Sequence, residues 1–302
     1  MYNKRWRHLG WLVLVGMMAV ACMPGRDMSA EDPRGVQIGL PANLFRDIPK
    51  GTIDALTPVF AKLMESQTGL KGSMVMLSGP DEVTTKLSEN KIQFAVFHGF
   101  EFAWAQTKNP ALKPLVIVVK QGTKLTAHVI VADDSKITKL DDLKGQSVAI
   151  PRGTPEHCRL FLARRIRFIG HRQKEFVSNV TTPAHVTAAL DDVYNGKVKA
   201  TVVDEVALEN YKWMNPGRAG KLRSLLKSES FPTGVIAYKE GAIPAADLKR
   251  FKDGLTSAHQ NSQGLQLMML WKMSKFDNIP ADYQQTLSDI AKAYPPPIGD
   301  EP

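Results

Sequence analysis

From Val36 onward the chain alternates short apolar strands with amphipathic helices, and it does so in two sets. That alternation restricts the fold more than any single motif. Strand–helix repeats of this kind build α/β layers, with mostly parallel sheets expected. In the first set, residues 36–40, 73–77, 93–97, 115–120 and 127–132 read as strands. A helix over 52–68 carries Leu56, Phe60, Leu63 and Met64 on one face, with Gly69 as its stop and Pro58 as a kink or start. A shorter helix over 80–88 pairs Val83 with Leu87, and another begins at 101–106. The near-continuous apolar runs at 115–120 and 127–132 suit a sheet covered on both faces. The second set reads strand 147–150, helix 156–169, strand 175–180, helix 183–194 and strand 199–203. After strands at 222–226 and 235–238, the pattern is helical to Tyr294.

The first residues read as a leader. Lys4, Arg5 and Arg7 precede an uncharged apolar run, and Ala19-Val20-Ala21 stands immediately before Cys22. A basic start, a short apolar run and an A-x-A-like end describe a secretory signal peptide, here residues 1–21. A membrane-spanning helix needs about 20 apolar residues, more than this run supplies. Cys22 stands where lipoproteins carry their acylated cysteine, so lipidation of Cys22 is expected; cleavage after Ala21 or Ala30 without lipid is the alternative. Stable anchoring takes two membrane signals, which a diacylated terminus supplies. Residues 22–34 are polar, contain Pro24 and Pro33, and read as a flexible tether. The expected location is periplasmic or extracytoplasmic, at the membrane if the lipid is present.

Composition then excludes several classes. Lys and Arg number 39 against 30 Asp and Glu, a net +9 that falls to +6 once the leader's three cations are gone. The charges alternate, and Arg164-Arg165-Ile166-Arg167 reads as a solvated helix face. No aromatic-plus-basic module accompanies them, so nucleic-acid binding is not expected. A positive balance does suit an anionic small-molecule ligand. About 280 mature residues suffice for two domains, and a monomer is expected. With Cys22 lipidated, Cys158 is a lone thiol and a disulfide scaffold is excluded. Walker A, G-x-S-x-G, H-E-x-x-H, C-x-x-C and G-x-G-x-x-G motifs are all absent. An enzyme built on His157, His185 or Cys158 would need an orienting group and an oxyanion hole that the sequence does not offer. No cofactor, metal or catalytic residue is therefore expected.

Four strand-to-helix loops carry small or polar residues: Phe97-His98-Gly99-Phe100, Pro151-Arg152-Gly153-Thr154-Pro155-Glu156-His157, Thr181-Thr182-Pro183-Ala184-His185 and Val203-Asp204-Glu205. Ligands of open α/β sheets bind beyond the carboxyl ends of the strands. Helix N-termini there offer free N–H groups to anions. Thr154, Thr182 and Asp204 also suit plain N-caps, and Phe100 and Phe102 suit a core.

Read in order, these segments resemble a known family. Lys136-Ile137-Thr138-Lys139-Leu140-Asp141-Asp142-Leu143-Lys144-Gly145-Gln146-Ser147-Val148-Ala149 is similar to the "S-x-I-x-x-L-x-D-L-K-G-K-x-V-A" segment of extracytoplasmic solute-binding proteins. Gln93 to Phe100 resembles the "D-x-A-x-x-G-P" strand and loop of the phosphate/phosphite/phosphonate-binding, PhnD-like branch. His185 with Ala188-Ala189-Leu190 and Val193 to Ala200 resembles that branch's "H-x-x-A-L-x-A-V-x-N-G-K-V-D-A", and Ser230-Phe231-Pro232-Thr233-Gly234-Val235 its return to the first lobe. The resemblance implies a type II periplasmic binding protein: an α/β clamshell of two lobes joined by a two-stranded hinge. It places lobe 1 at 35–124 and 218–302, and lobe 2 at 125–217. It implies an ABC permease as partner, a small oxyanion such as phosphonate, phosphite or phosphate as ligand, and a site drawn from Asn43, Phe45, His98, Phe100, Thr154, His157, His185 and Asp204. A binding protein that serves a membrane receptor or kinase is the alternative function. The chain departs from the family at its hydroxyl-rich loop "S-T-S-G", where only Thr154 keeps a hydroxyl, Pro155 lacks an N–H, and Glu156 adds a negative charge. Lys199 and Gly99-Phe100 are further departures, standing for Asp and Gly-Pro.

Overall fold

The computed structural model describes residues 35–46, 48–120, 122–270 and 273–297. The expected signal peptide, Cys22 and the tether at 22–34 lie outside them. The described residues, from Gly35 on, form one compact unit.

Thirteen strands are described: β1 (Val36–Pro41), β2 (Gly72–Leu77), β3 (Phe94–Phe97), β4 (Leu112–Val119), β5 (Lys124–Leu125), β6 (Ala127–Ala132), β7 (Ser147–Ala149), β8 (Asn179–Thr181), β9 (Ala200–Asp204), β10 (Leu222–Lys227), β11 (Phe231–Pro232), β12 (Val235–Lys239) and β13 (Lys275–Asp277). The helices are α1 (Lys50–Thr68), α2 (Pro80–Ser88), α3 (Gly99–Lys108), α4 (Glu156–Phe168), α5 (Gln173–Phe176), α6 (Val186–Tyr194), α7 (Glu205–Met214), α8 (Pro216–Ala219), α9 (Ala245–Ser257), α10 (Ser262–Leu270) and α11 (Tyr283–Ala293). Among the described residues, no helix is long and apolar enough to cross a membrane.

The first lobe is a six-stranded sheet in the order β13-β4-β12-β3-β1-β2, and the second a five-stranded sheet in the order β10-β6-β9-β7-β8. Between them β5 and β11 pair antiparallel, Phe231 opposite Leu125, as a two-stranded hinge. Strand alternation explains the first lobe's two cores. Phe94, Val116 and Ile236 point to one face, where they meet Phe60, Leu63 and Phe251. Their neighbours Ala95, Ile117 and Ala237 point to the other, against Val83, Leu87, Phe102 and Leu287. Phe94 and Phe251 stack with centroids 3.8 Å apart. Gly69 ends α1 in the left-handed region at φ +68°, where glycine carries no Cβ penalty. Pro58 sits inside α1, which runs on through it.

Several sequence expectations change. The sheets are mixed rather than mostly parallel: β12, β13, β6 and β10 run antiparallel to their neighbours. For β6 and β12 the reason is the hinge, because each directly follows a crossing and enters its sheet from the opposite side. Segment 218–227 does not return to the first lobe; β10 pairs with β6, so the return falls between Lys227 and Phe231. The strand expected at 175–180 begins as the short helix α5 and becomes strand only at Asn179. The helical stretch to Tyr294 is interrupted by β13, an edge strand on β4.

One apolar cluster runs from the second lobe into the first. Val129, Val202, Phe161 and Leu162 continue through Phe231 to Phe100, Ile290 and Tyr294. Phe231 is fully buried on the hinge, 4.7 Å from the Tyr294 ring and 6.2 Å from that of Phe100. Trp104 Nε1 donates to the Tyr294 carbonyl at 2.7 Å. Gly99 is required beside this junction, since a Cβ there would lie 2.3 Å from the Pro232 carbonyl oxygen.

Candidate ligand-binding cleft

The two lobes face each other at the carboxyl ends of their parallel strands. On the first-lobe side, β1 leads into a 3-10 turn, Ala42–Phe45, that carries Asn43, and β3 ends on His98, the N-cap of α3. Glu101, three residues on, is buried and joins the two. Its Oε1 accepts from Asn43 Nδ2 at 2.6 Å, and its Oε2 accepts from the His98 backbone N–H at 3.2 Å. Burial pushes the Glu101 carboxyl up to about 7, against the pull of these two hydrogen bonds. Burial pushes the His98 imidazole down to about 3, helped by the charges of Lys120, His157 and Arg46, so it is neutral near pH 7. His98 Nε2 and Asn43 Oδ1 are buried without a hydrogen-bond partner among the described residues. The Phe100 ring lies parallel to His98 at 5.7 Å and edge-on to Trp104 at 5.1 Å.

The second-lobe side is organised differently. Thr154 is buried and donates its hydroxyl to the Pro151 carbonyl at 2.6 Å, bracing the loop before α4. His157 is buried 5.5 Å from the Phe231 ring, with Nε2 3.4 Å from Cys158 Sγ. Burial, then the Lys120 charge, pushes His157 down to about 3. Burial pushes the Cys158 thiol up, reinforced by Asp204. A neutral imidazole beside a protonated thiol is the reverse of an activated Cys/His pair. Asp204 N-caps α7, its Oδ1 accepting from Ala207 N–H at 2.7 Å. His185 stands at the N-cap position of α6 and is exposed.

The fold therefore brings His98, Phe100 and His157 into one aromatic group around Phe231, and ties Asn43 to His98 through Glu101. Phe45 packs on the first-lobe core, beside a small apolar cavity lined by Ile48, Thr52, Ile53, Leu56 and Met74. Sequence reasoning did not single out Glu101, Lys120, Thr181 or Arg46. Glu101 had a readable signal, an acid three residues after an N-cap. Thr181 Oγ1, at the end of β8, is buried and has no hydrogen-bond partner among the described residues. Arg46 reaches across to Glu156, Nε to Oε1 at 2.5 Å and Nη2 to Oε2 at 3.3 Å, and Arg159 stands 3.8 Å from the same carboxylate. Residues 110 positions apart leave no local signature of such a pair.

Two mixed α/β lobes joined by a two-stranded hinge define a type II periplasmic binding protein. The chain belongs to the family of periplasmic substrate-binding proteins of phosphonate ABC transporters, whose model matches residues 49–283. Its place of action is accordingly extracytoplasmic. No curated protein matches the chain by sequence. Among solved structures, it is similar to XAC2383 from Xanthomonas citri bound to ATP, with TM-score 0.59 and 12% identity over 86% of this chain and 96% of that one. It is also similar to a binding protein component of an ABC phosphonate transporter, PA3383 from Pseudomonas aeruginosa, with TM-score 0.55 and 16% identity over 84% of each chain. PhnD1 from Prochlorococcus marinus in complex with methylphosphonate gives TM-score 0.53 and 13% identity over 85% of this chain and 97% of that one. These likenesses concern the fold.

Proposed function

We propose that this protein captures a small oxyanion, of the phosphonate, phosphite or phosphate class, between its lobes and presents it to an ABC permease. The observation that carries the reading is the pairing of unpartnered polar atoms with positive charge. His98 Nε2 and Asn43 Oδ1 are buried at the cleft, and the Lys120 and Arg46 charges act on the same His98 ring. Buried polar atoms without partners call for a ligand or a water, and cations close by favour an anion. Glu156, which alone would repel an anion, is paired with Arg46 and Arg159. Ligand entry and release proceed by hinge motion at β5 and β11. Acylation of Cys22 would hold the protein, as a monomer, at the membrane near its permease. Calorimetric titration of the purified protein with methylphosphonate, phosphite and phosphate tests the ligand class. Binding of at least one is expected; no heat and no thermal shift from any of the three would remove the oxyanion and leave the fold.

A further inference from the structure

The Asn43 side chain is fixed from one side. Both oxygens of Glu101 accept N–H groups, one from Asn43 Nδ2 and one from the His98 backbone. At pH 7.5, above the value of about 7 to which burial raises it, Glu101 is mainly ionised and has only acceptors to offer. Asn43 must therefore turn its amide nitrogen to Glu101 and its carbonyl oxygen away. That oxygen, Oδ1, is buried and meets no donor among the described residues. A ligand that makes contact with this oxygen has to bring a proton.

We infer that Asn43, oriented by Glu101, makes the cleft select oxyanions that carry an O–H over those that carry none; this rests on the oxyanion reading above and specifies it. A phosphonate monoanion has two bare oxygens and one hydroxyl, and the hydroxyl donates to Asn43 Oδ1. A sulfonate of the same shape has three bare oxygens. Placed at the same point it sets one acceptor against another and leaves Oδ1 unpaired. Sites that hydrogen-bond a substrate hydroxyl reject analogues lacking it far more strongly than apolar pockets reject a missing methylene. Glu101 acts here as a positioning residue, since it touches Asn43 and not the ligand.

The test is calorimetric titration of the purified protein near pH 7.5 with methylphosphonate and methanesulfonate. The wild type is expected to bind methylphosphonate at least about tenfold more tightly. Asn43→Ala removes the acceptor, so the preference should collapse towards unity. Glu101→Gln supplies an N–H that lets the Asn43 amide turn over and offer its own N–H to the cleft, so methanesulfonate should gain relative to methylphosphonate. Melting curves identify which variants are folded, and either variant alone suffices to move the ratio. Equal wild-type affinities for the two ligands overturn the inference and leave the oxyanion reading standing. So does an unchanged ratio in both folded variants. A wild type that binds methylphosphonate, phosphite and phosphate not at all removes both.

Discussion

The ion pair between Arg46 and Glu156 joins the two lobes, so removing it should weaken ligand binding by loosening closure, in addition to taking one positive charge from the neighbourhood of His98. The magnitude follows from its setting. The contact is bidentate, Glu156 keeps only 14% of its side-chain exposure, and Arg46 keeps 51%. Fully exposed pairs contribute at most about 1 kcal/mol, and hydrogen bonds to charged groups contribute about 1.5–3 kcal/mol. A half-sheltered bidentate pair falls between, at about 1–2 kcal/mol. Opening the hinge separates its partners, so the whole amount enters the open–closed equilibrium and hence the apparent affinity. Arg46→Ala should therefore weaken methylphosphonate binding by about 5–30-fold in titration calorimetry. The residual Glu156 charge acts in the same direction, because among the described residues Arg159, at 3.8 Å, is then left to offset it. Glu156→Gln breaks the same pair but also takes a negative charge from beside the cleft, so its loss should be smaller. In the double-mutant cycle the two substitutions should be non-additive by about 1 kcal/mol. An Arg46→Ala affinity within about twofold of wild type, or an additive cycle, would refute the claim that closure draws on this pair.

Two further outcomes concern stability. Phe231→Ala empties a fully buried position on the hinge that touches Phe100, His157 and Tyr294, and should cost about 3–5 kcal/mol in urea unfolding; a loss under about 1 kcal/mol would show that the apolar junction between lobes is not a structural support. Acid should destabilise the protein below pH 6.5. His98 and His157 are each held down to about 3 in the folded state against an ordinary 6.5, so the unfolded chain takes up protons that the folded one refuses, and stability falls as pH drops through that window. Glu101 works the other way between 4.5 and 7, because its folded value is raised to about 7 and folding favours its protonated form, but two imidazoles outweigh one carboxyl. Urea midpoints should be lower at pH 5 than at pH 7, and His98→Gln with His157→Gln should flatten that dependence; an equal slope in the double variant would contradict it.

Much of the fold was legible because its cues are local. The runs at 80–88 and 127–132 match α2 and β6 to the residue, since a four-spaced pair and a near-continuous apolar run each point to one element. Gly69 announced the end of α1 through its left-handed φ. What escaped was non-local. β13 spans three residues and exists because β4 presents a free edge to it. β10 has the pattern of any half-buried strand, and only its register against β6 assigns it to the second lobe. Strand direction depends on how often the chain has crossed the hinge, and that hinge is a pairing of two residues with two.

The site divides along the same line. Asp204 was readable as an N-cap because a cap is a relation between residues three apart, and it does accept from Ala207. The partners of Glu156 were not readable for the opposite reason. Taken alone, an acid at a helix start opposes an anion in the cleft; in the folded chain Arg46 and Arg159 compensate it, and its charge becomes a contact between lobes. The loss of hydroxyls around Thr154 acquires a counterpart in the same way. Thr154 spends its hydroxyl on Pro151 and Asp204 one oxygen on Ala207, while, among the described residues at these strand ends, unpartnered buried atoms stand at Asn43 and His98 in the first lobe and at Thr181 in the second. On the proposed reading, recognition leans on the first-lobe turn and the β3–α3 corner, and closure draws on the contact of Arg46 with Glu156 of the second lobe. A pocket whose polar atoms lie mainly on one lobe and whose closing contact lies between lobes separates the choice of ligand from the strength of its retention.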